Sequence, residues 1–226
     1  MASFSFLDPS MVTRAIADPY AGRTLSQRTR ARRWEEFGRR FPDISEMRVI
    51  DLGGDARYWA AAPVRPAELV LVNLYVQEPP FEDARVVVGD ACELPVELAA
   101  ERFDLVYSNS AIEHVGGHSR REAFADSVRA LGERHWIQTP YRYFPIEPHW
   151  LFPAFQFLPV GARATITQNW RYGQRYTRER SAAVAEAMSV RLLSRTELAH
   201  YFPQSEIWSE RIGGVVKSLV AIAPPA

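Results

Sequence analysis

Two short runs in this sequence set a histidine beside a carboxylate: Glu113-His114 and Glu147-Pro148-His149. A histidine with a carboxylate neighbour is held in one tautomer and made more basic, which suits proton removal from an alcohol. The same three residue types, Glu113, His114 and His149, also suit a divalent ion. His118 and His135 lack that context, and packing is the simpler role for them. A further carboxylate, Asp51, precedes Gly53 and Gly54. It offers acceptors and negative charge but no phosphate-binding donor, so it favours a cationic or amine-bearing ligand over a pyrophosphate. Around Glu147, the residues Tyr141, Arg142 and Trp150 supply rings and a guanidinium, a combination that fits a sugar.

These residues need elements to position them. Met47 to Leu52 reads as a buried parallel strand that opens at Gly53 into a tight loop, the place where open α/β sheets bind ligands. Further apolar runs follow at Leu69 to Leu74, Ala84 to Val88, Phe103 to Ser108 and His135 to Thr139. Leu25 to Arg40 has Trp34, Phe37 and Phe41 at helical spacing, with its arginines expected to face water. Ala56 to Ala62 leaves room for one short helix, and Gln77 to Asp83, with two prolines, leaves little room for a crossover helix. Ser119 and Glu122 predict a capping box ahead of the apolar stripe Phe124, Val128, Leu131. Ser194 and Glu197 predict a second, opening a helix to Tyr201. Glu206 to Ile212 and Val215 to Ile222 flank Gly213-Gly214, which predicts a terminal hairpin.

The chain has 226 residues, enough for one domain with a substantial core. We expect a single domain over residues 1-226: an N-terminal arm and helix at 1-42, a cofactor-binding core at 43-139, an acceptor lid or insertion at 140-180, and C-terminal helices and hairpin at 181-226. Basic and acidic residues balance at 27 each, which gives no global argument for nucleic acid or an anionic membrane. The lone cysteine, Cys92, suits a reducing compartment, and it lacks any activating motif. Without a membrane-spanning run or a leader pattern, the expected location is cytoplasmic. Six tryptophans are present, and rings crowd between Trp136 and Tyr176. They suit a stacking site, a small extra core or a homodimer contact.

The run Asp51-Leu52-Gly53-Gly54-Asp55 resembles motif I of the class I S-adenosylmethionine-dependent methyltransferases, with Asp55 where the family usually has a second glycine. Phe103-Asp104-Leu105-Val106, followed by Glu113-His114-Val115, closely resembles motif IV of the small-molecule members. The resemblance covers Met47 to Gln138 and implies a Rossmann-like α/β fold: a seven-stranded, mostly parallel sheet ending in an antiparallel hairpin, here with an aromatic lid insertion.

It also implies S-adenosyl-L-methionine as cofactor, held by Asp51, Gly53, Asn73, Leu74, Asp90, Ala91, Ser108 and Asn109. Asn73 stands where an acidic residue usually grips the ribose, and Asp90 where a carboxylate meets the adenine. Asn109 is followed by Ser110-Ala111-Ile112 and not by the Pro-Pro-Tyr of amine and adenine methyltransferases, so a hydroxyl is the expected acceptor. Glu113, His114 and His149 are the expected catalytic residues, and Tyr141, Arg142, Glu147 and Trp150 the expected substrate contacts. The segment after Thr139 is similar to that of bacterial polysaccharide-associated sugar O-methyltransferases, which implies a mannoside-type sugar or oligosaccharide acceptor. Methylation of a phenol or quinone, and an inactive cofactor-binding homologue, are the alternatives. Small-RNA methyltransferases hold magnesium with two glutamates and two histidines. Ser110 occupies one of those glutamate positions, which favours direct histidine catalysis over a metal.

Overall fold

The computed structural model describes residues 25–223. Helix α1 spans Leu25–Arg40, followed by β1 (Arg48–Leu52), α2 (Ala56–Ala60), β2 (Glu68–Asn73), β3 (Ala84–Val88), α3 (Val96–Ala99), β4 (Leu105–Asn109), α4 (His118–Leu131) and β5 (His135–Pro140). Next come β6 (Ile146–Glu147), β7 (Phe152–Pro153), α5 (Val160–Asn169) and α6 (Arg180–Ser189). The chain closes with α7 (Arg195–Tyr201), β8 (Glu206–Ile212) and β9 (Val215–Ala223). Two compact units are formed, one of Trp34–Tyr143 with the chain from Arg191 onward, the other centred on Phe144–Val190.

The first unit is built on one seven-stranded sheet in the order β3-β2-β1-β4-β5-β9-β8. Strands β1 to β5 run parallel, and β9 is antiparallel to both β5 and β8. Because side chains alternate across a strand, each strand feeds two cores. Ile50, Leu52, Val70, Val72, Val106 and Ile137 meet Phe124, Val128 and Leu131 of α4 on one face. Val49, Leu69, Leu71, Leu105, Tyr107 and Trp136 meet Trp34, Phe37 and Phe41 of α1 on the other. Burial on both faces explains the near-continuous apolar strands. Trp34 also stacks on Tyr58 at 5.3 Å and on Tyr107 at 6.1 Å, which anchors α2 beside β1.

Most expected elements are present, with two local differences. Helix α4 begins at His118 behind an N-cap at Gly117 that makes no side-chain bond, so Ser119 and Glu122 form no capping box. The amide of Arg121 already bonds to the Gly117 carbonyl, which starts the helix before Ser119. The second box is present: Ser194 Oγ accepts from the Glu197 amide, and the Glu197 carboxylate accepts from the Ser194 amide. On α1, Arg32 faces water, but Arg33 is buried. Gly213 and Gly214 turn the β8–β9 hairpin at φ of 54° and 84°, a region that L side chains enter at a cost.

In the second unit, β6 and β7 form a two-stranded ribbon, and α5 packs against α6 through Ala164, Ala183 and Ala187. Among the described residues, no helix is long and apolar enough to cross a membrane.

Candidate functional site

Strand order reverses between β1 and β4, whose carboxyl ends therefore flank the crevice where doubly wound sheets hold ligands. Asp51 lies in β1 with its carboxylate buried. Trp59 Nε1 donates to Oδ2 at 2.7 Å, while Oδ1 has no hydrogen-bond partner. Burial pushes this carboxyl up to about 7, outweighing the Trp59 bond, which favours the charge, and Asp55 nearby adds a further upward push. A buried carboxylate oxygen without a partner is costly unless a ligand supplies a donor, and an ammonium meets that need.

The loop after β1 is drawn tight. Gly53 has φ of 85°, its amide donates to the Val72 carbonyl at 2.8 Å, and a Cβ added there would lie 2.5 Å from that of Ala111. A side chain at 53 is thus excluded first by the loop after β4. At Gly54 a Cβ would meet the Asp51 carboxylate at 2.8 Å. Asp55, which departs from the glycine of the family pattern, caps α2 by accepting from the Arg57 amide at 2.8 Å. We expect Gly53→Val to lower the melting temperature, with about 1–3 kcal/mol lost to strain and overpacking, and to abolish cofactor binding. Unchanged affinity for S-adenosylhomocysteine by calorimetry would exclude this loop from the cofactor site.

Asn73 ends β2. Its Nδ2 donates to the Gly54 carbonyl at 2.8 Å, and its Oδ1 accepts from the Leu74 amide at 2.8 Å. Gln77 also donates to the Gly54 carbonyl, at 2.8 Å, and accepts from the Ala56 amide at 2.9 Å. Leu74 is exposed beyond the strand. After β3, Asp90 pairs with the Arg120 guanidinium and accepts from the Cys92 amide at 2.8 Å. Burial opposes its charge, but these donors hold its carboxyl below the ordinary aspartate value. Ala91 beside it is half-buried. Burial raises the Cys92 thiol to about 11, which leaves it a poor nucleophile.

At the end of β4, Ser108 is fully buried and donates to the Leu52 carbonyl at 2.7 Å, so its hydroxyl joins β4 to β1. Asn109 is half-buried, and Ser110 turns the chain at φ of 59° while its hydroxyl donates to Gln138 Oε1 at 2.9 Å. Glu113 is buried and accepts from Thr139 Oγ1 at 2.9 Å, and its carbonyl accepts from the Arg191 amide at 3.0 Å. His114 follows, half-buried, its amide bonded to the Ala111 carbonyl at 2.8 Å. Past β5, Tyr141 bridges to Leu193, and Arg142 reaches Glu197 at 3.8 Å.

In the second unit, Glu147 is buried and its carboxylate organises the turn after β6. It accepts from His149 Nδ1 at 2.7 Å, from the His149 amide at 2.7 Å and from the Trp150 amide at 2.9 Å. Trp150 has 1 % of its surface exposed, stacks on Phe155 at 4.1 Å and donates to Thr167 Oγ1 at 2.8 Å. Its ring is therefore core, and stands edge-on to the His149 ring at 6.2 Å. Trp59, Gln77, Arg120 and Thr139 are the partners that residue patterns did not single out. Each is far in sequence from the group it holds.

Residues 50–134 match the family model described as a methyltransferase domain. No curated protein sequence matches the chain. Among solved structures, the DhpI complex with S-adenosylhomocysteine is similar over 96 % of each chain, at 12 % identity and a TM-score of 0.53. The fold is the methyltransferase fold. The N-methyltransferase NodS from Bradyrhizobium japonicum WM9 is similar over 88 % of this chain and 97 % of its own, at 9 % identity and a TM-score of 0.51. The N-terminal domain of EvdMO1, crystallised in the presence of S-adenosylhomocysteine and D-fucose, is similar over 100 % of both chains, at 15 % identity and a TM-score of 0.50.

Proposed function

We propose that this protein is an S-adenosylmethionine-dependent O-methyltransferase whose acceptor is a hydroxyl of a sugar or oligosaccharide. The observation that carries the cofactor reading is the buried Asp51 carboxylate, with one oxygen lacking a partner, at the end of β1. The methyltransferase fold and family match, and the S-adenosylhomocysteine held by the DhpI neighbour, support it.

The cofactor supplies an activated methyl group on a sulfonium, so the chain's task is alignment and proton removal. Asp51 binds the amino group as an ionised carboxylate. Gly53 and Gly54 let the backbone approach, Asn73 holds the loop and presents Leu74, and Asp90 with Ala91 meets the base. Ser108 and Asn109 shape the end of β4. The acceptor's proton goes to a histidine, and His149 is the first choice because Glu147 holds Nδ1 and so fixes the tautomer and raises the basicity of the ring. His114, beside the buried Glu113, is the second. Direct proton transfer to histidine is preferred over a magnesium-assisted step. Tyr141 and Arg142 are assigned to the acceptor. The preference for a sugar rests on rings beside a guanidinium and on the D-fucose used with the EvdMO1 neighbour.

Methyl transfer from labelled S-adenosylmethionine to panels of sugars, phenols and amines tests the acceptor. Incorporation into sugars alone is the expected result. Incorporation into phenols alone selects the quinone-type reading, and into amines alone a nitrogen acceptor. Tight cofactor binding without transfer to any panel selects the inactive binder.

A further inference from the structure

On the first unit, outside every residue assigned above, His118 and Glu122 lie one turn apart on α4 and His200 lies in the last turn of α7. One ligand atom from each falls within 4.8 Å of the other two. His118 Nε2 is already 3.3 Å from Glu122 Oε1. Two ligands of a tetrahedral zinc, each about 2.0–2.2 Å from the ion, stand about 3.4 Å apart, so that pair has the required spacing. The His118 and His200 ring centroids are 5.7 Å apart. All three side chains are exposed, so a modest rotation of His200 closes the set.

A second feature orients the site. His118 Nδ1 is hydrogen-bonded to the Tyr201 hydroxyl at 3.0 Å, which fixes the ring and leaves Nε2 on the Glu122 side. Metal-bound imidazoles are commonly held through their other nitrogen in this way. Arg191, the nearby cation on the same groove, is answered by Glu197 at 3.6 Å. Two imidazoles with one carboxylate suit zinc and its neighbours in the transition series, whereas magnesium prefers oxygen ligands.

We propose that His118, Glu122 and His200 form a zinc-class divalent site that staples the start of α4 to the end of α7. It uses the two histidines on these helices and leaves the fourth position to water. The proposal does not depend on the methyltransferase reading.

Zinc chloride titrated into chelator-stripped protein, in competition with a chromophoric chelator, tests it. One ion per chain should bind, and the melting temperature should rise with zinc but not with magnesium. His118→Ala and His200→Ala should each weaken binding by about 30-fold or more, Glu122→Gln by about tenfold, and Tyr201→Phe by less than either alanine change. Since His200 is exposed, His200→Ala should keep the wild-type melting temperature without zinc, whereas His118→Ala also removes the partner of the Tyr201 hydroxyl and should lower it slightly. Unchanged stoichiometric binding in the His118→Ala/His200→Ala double variant would overturn the proposal. So would an equal response to magnesium, or no saturable zinc binding.

Discussion

Asp51→Asn is expected to make the ligand-free protein more stable at pH 8 and to abolish S-adenosylmethionine binding. The Asp51 carboxyl sits at about 7 in the folded chain because burial penalises its charge. In the unfolded chain an aspartate titrates near 3.9, so between about pH 4 and 7 the folded state holds a proton that the unfolded state has lost. Stability therefore falls as pH rises through that window. About three units at 1.36 kcal/mol each give a loss on the order of 4 kcal/mol, complete above pH 7. Asparagine carries no charge to bury and still accepts from Trp59, but its amide protons need partners, which leaves a net gain of about 2 kcal/mol.

Cofactor binding should respond in the opposite sense. An ammonium beside Asp51 favours the ionised carboxylate, so binding below pH 7 releases a proton and affinity falls by about tenfold per unit. Losing one partner of a buried charge pair costs about 3–5 kcal/mol, or more than 100-fold in affinity for the asparagine variant. Calorimetry at pH 6 in buffers of different ionisation enthalpy reads the proton directly. If Asp51→Asn binds as tightly as the natural chain, or if no proton is released, Asp51 is not the amine ligand.

His149→Ala should lower turnover by about 100-fold or more while leaving cofactor affinity unchanged, since a general base acts on the acceptor and not on the sulfonium. Glu147→Gln is the sharper companion. The carboxylate accepts three hydrogen bonds, from His149 Nδ1 and two amides. A glutamine replaces one of these acceptor oxygens with an NH2 group, so at least one of the three donors faces a donor, the charge that steadies the imidazole is lost and the turn loosens; turnover should drop by about tenfold or more. His114→Ala, measured alongside, assigns the proton if it carries the larger loss. Full activity in both alanine variants would remove histidine from the mechanism. A chelator separates the remaining choice: inhibition reversed by magnesium assigns an ion, and indifference assigns direct proton transfer.

The strand sequence of the first unit was readable because the central strands β1, β2, β4 and β5 are buried on both faces, so their runs are mostly apolar, and the strand ends are marked by Gly53, Asn73, Gly89 and Asn109. The β8–β9 hairpin was equally plain, since Gly213-Gly214 admits the positive φ its turn needs. Residue types also placed Asp51 near the end of its strand and Glu113 in the loop after the fourth, whereas the β6–β7 ribbon that carries Glu147 was read only as an extended segment. Local chemistry misled at Ser119, where the Gly117 carbonyl accepted the first helical bond before the hydroxyl was reached.

What residue order could not reveal are bonds between groups distant along the chain, because no period or spacing links them. Trp59 reaches Asp51 across 8 residues, Gln77 reaches Gly54 across 23, Thr139 reaches Glu113 across 26, and Arg120 reaches Asp90 across 30. Burial was hidden for the same reason. A tryptophan beside a histidine looks like a stacking face for a ligand, yet Trp150 is covered by Phe155 and Thr167, which only folding brings against it. Sequence alone set where carboxylates and histidines fall on the fold. Tertiary structure decided which of them lose water, and therefore which one, Asp51, is held near neutrality with an acceptor to spare.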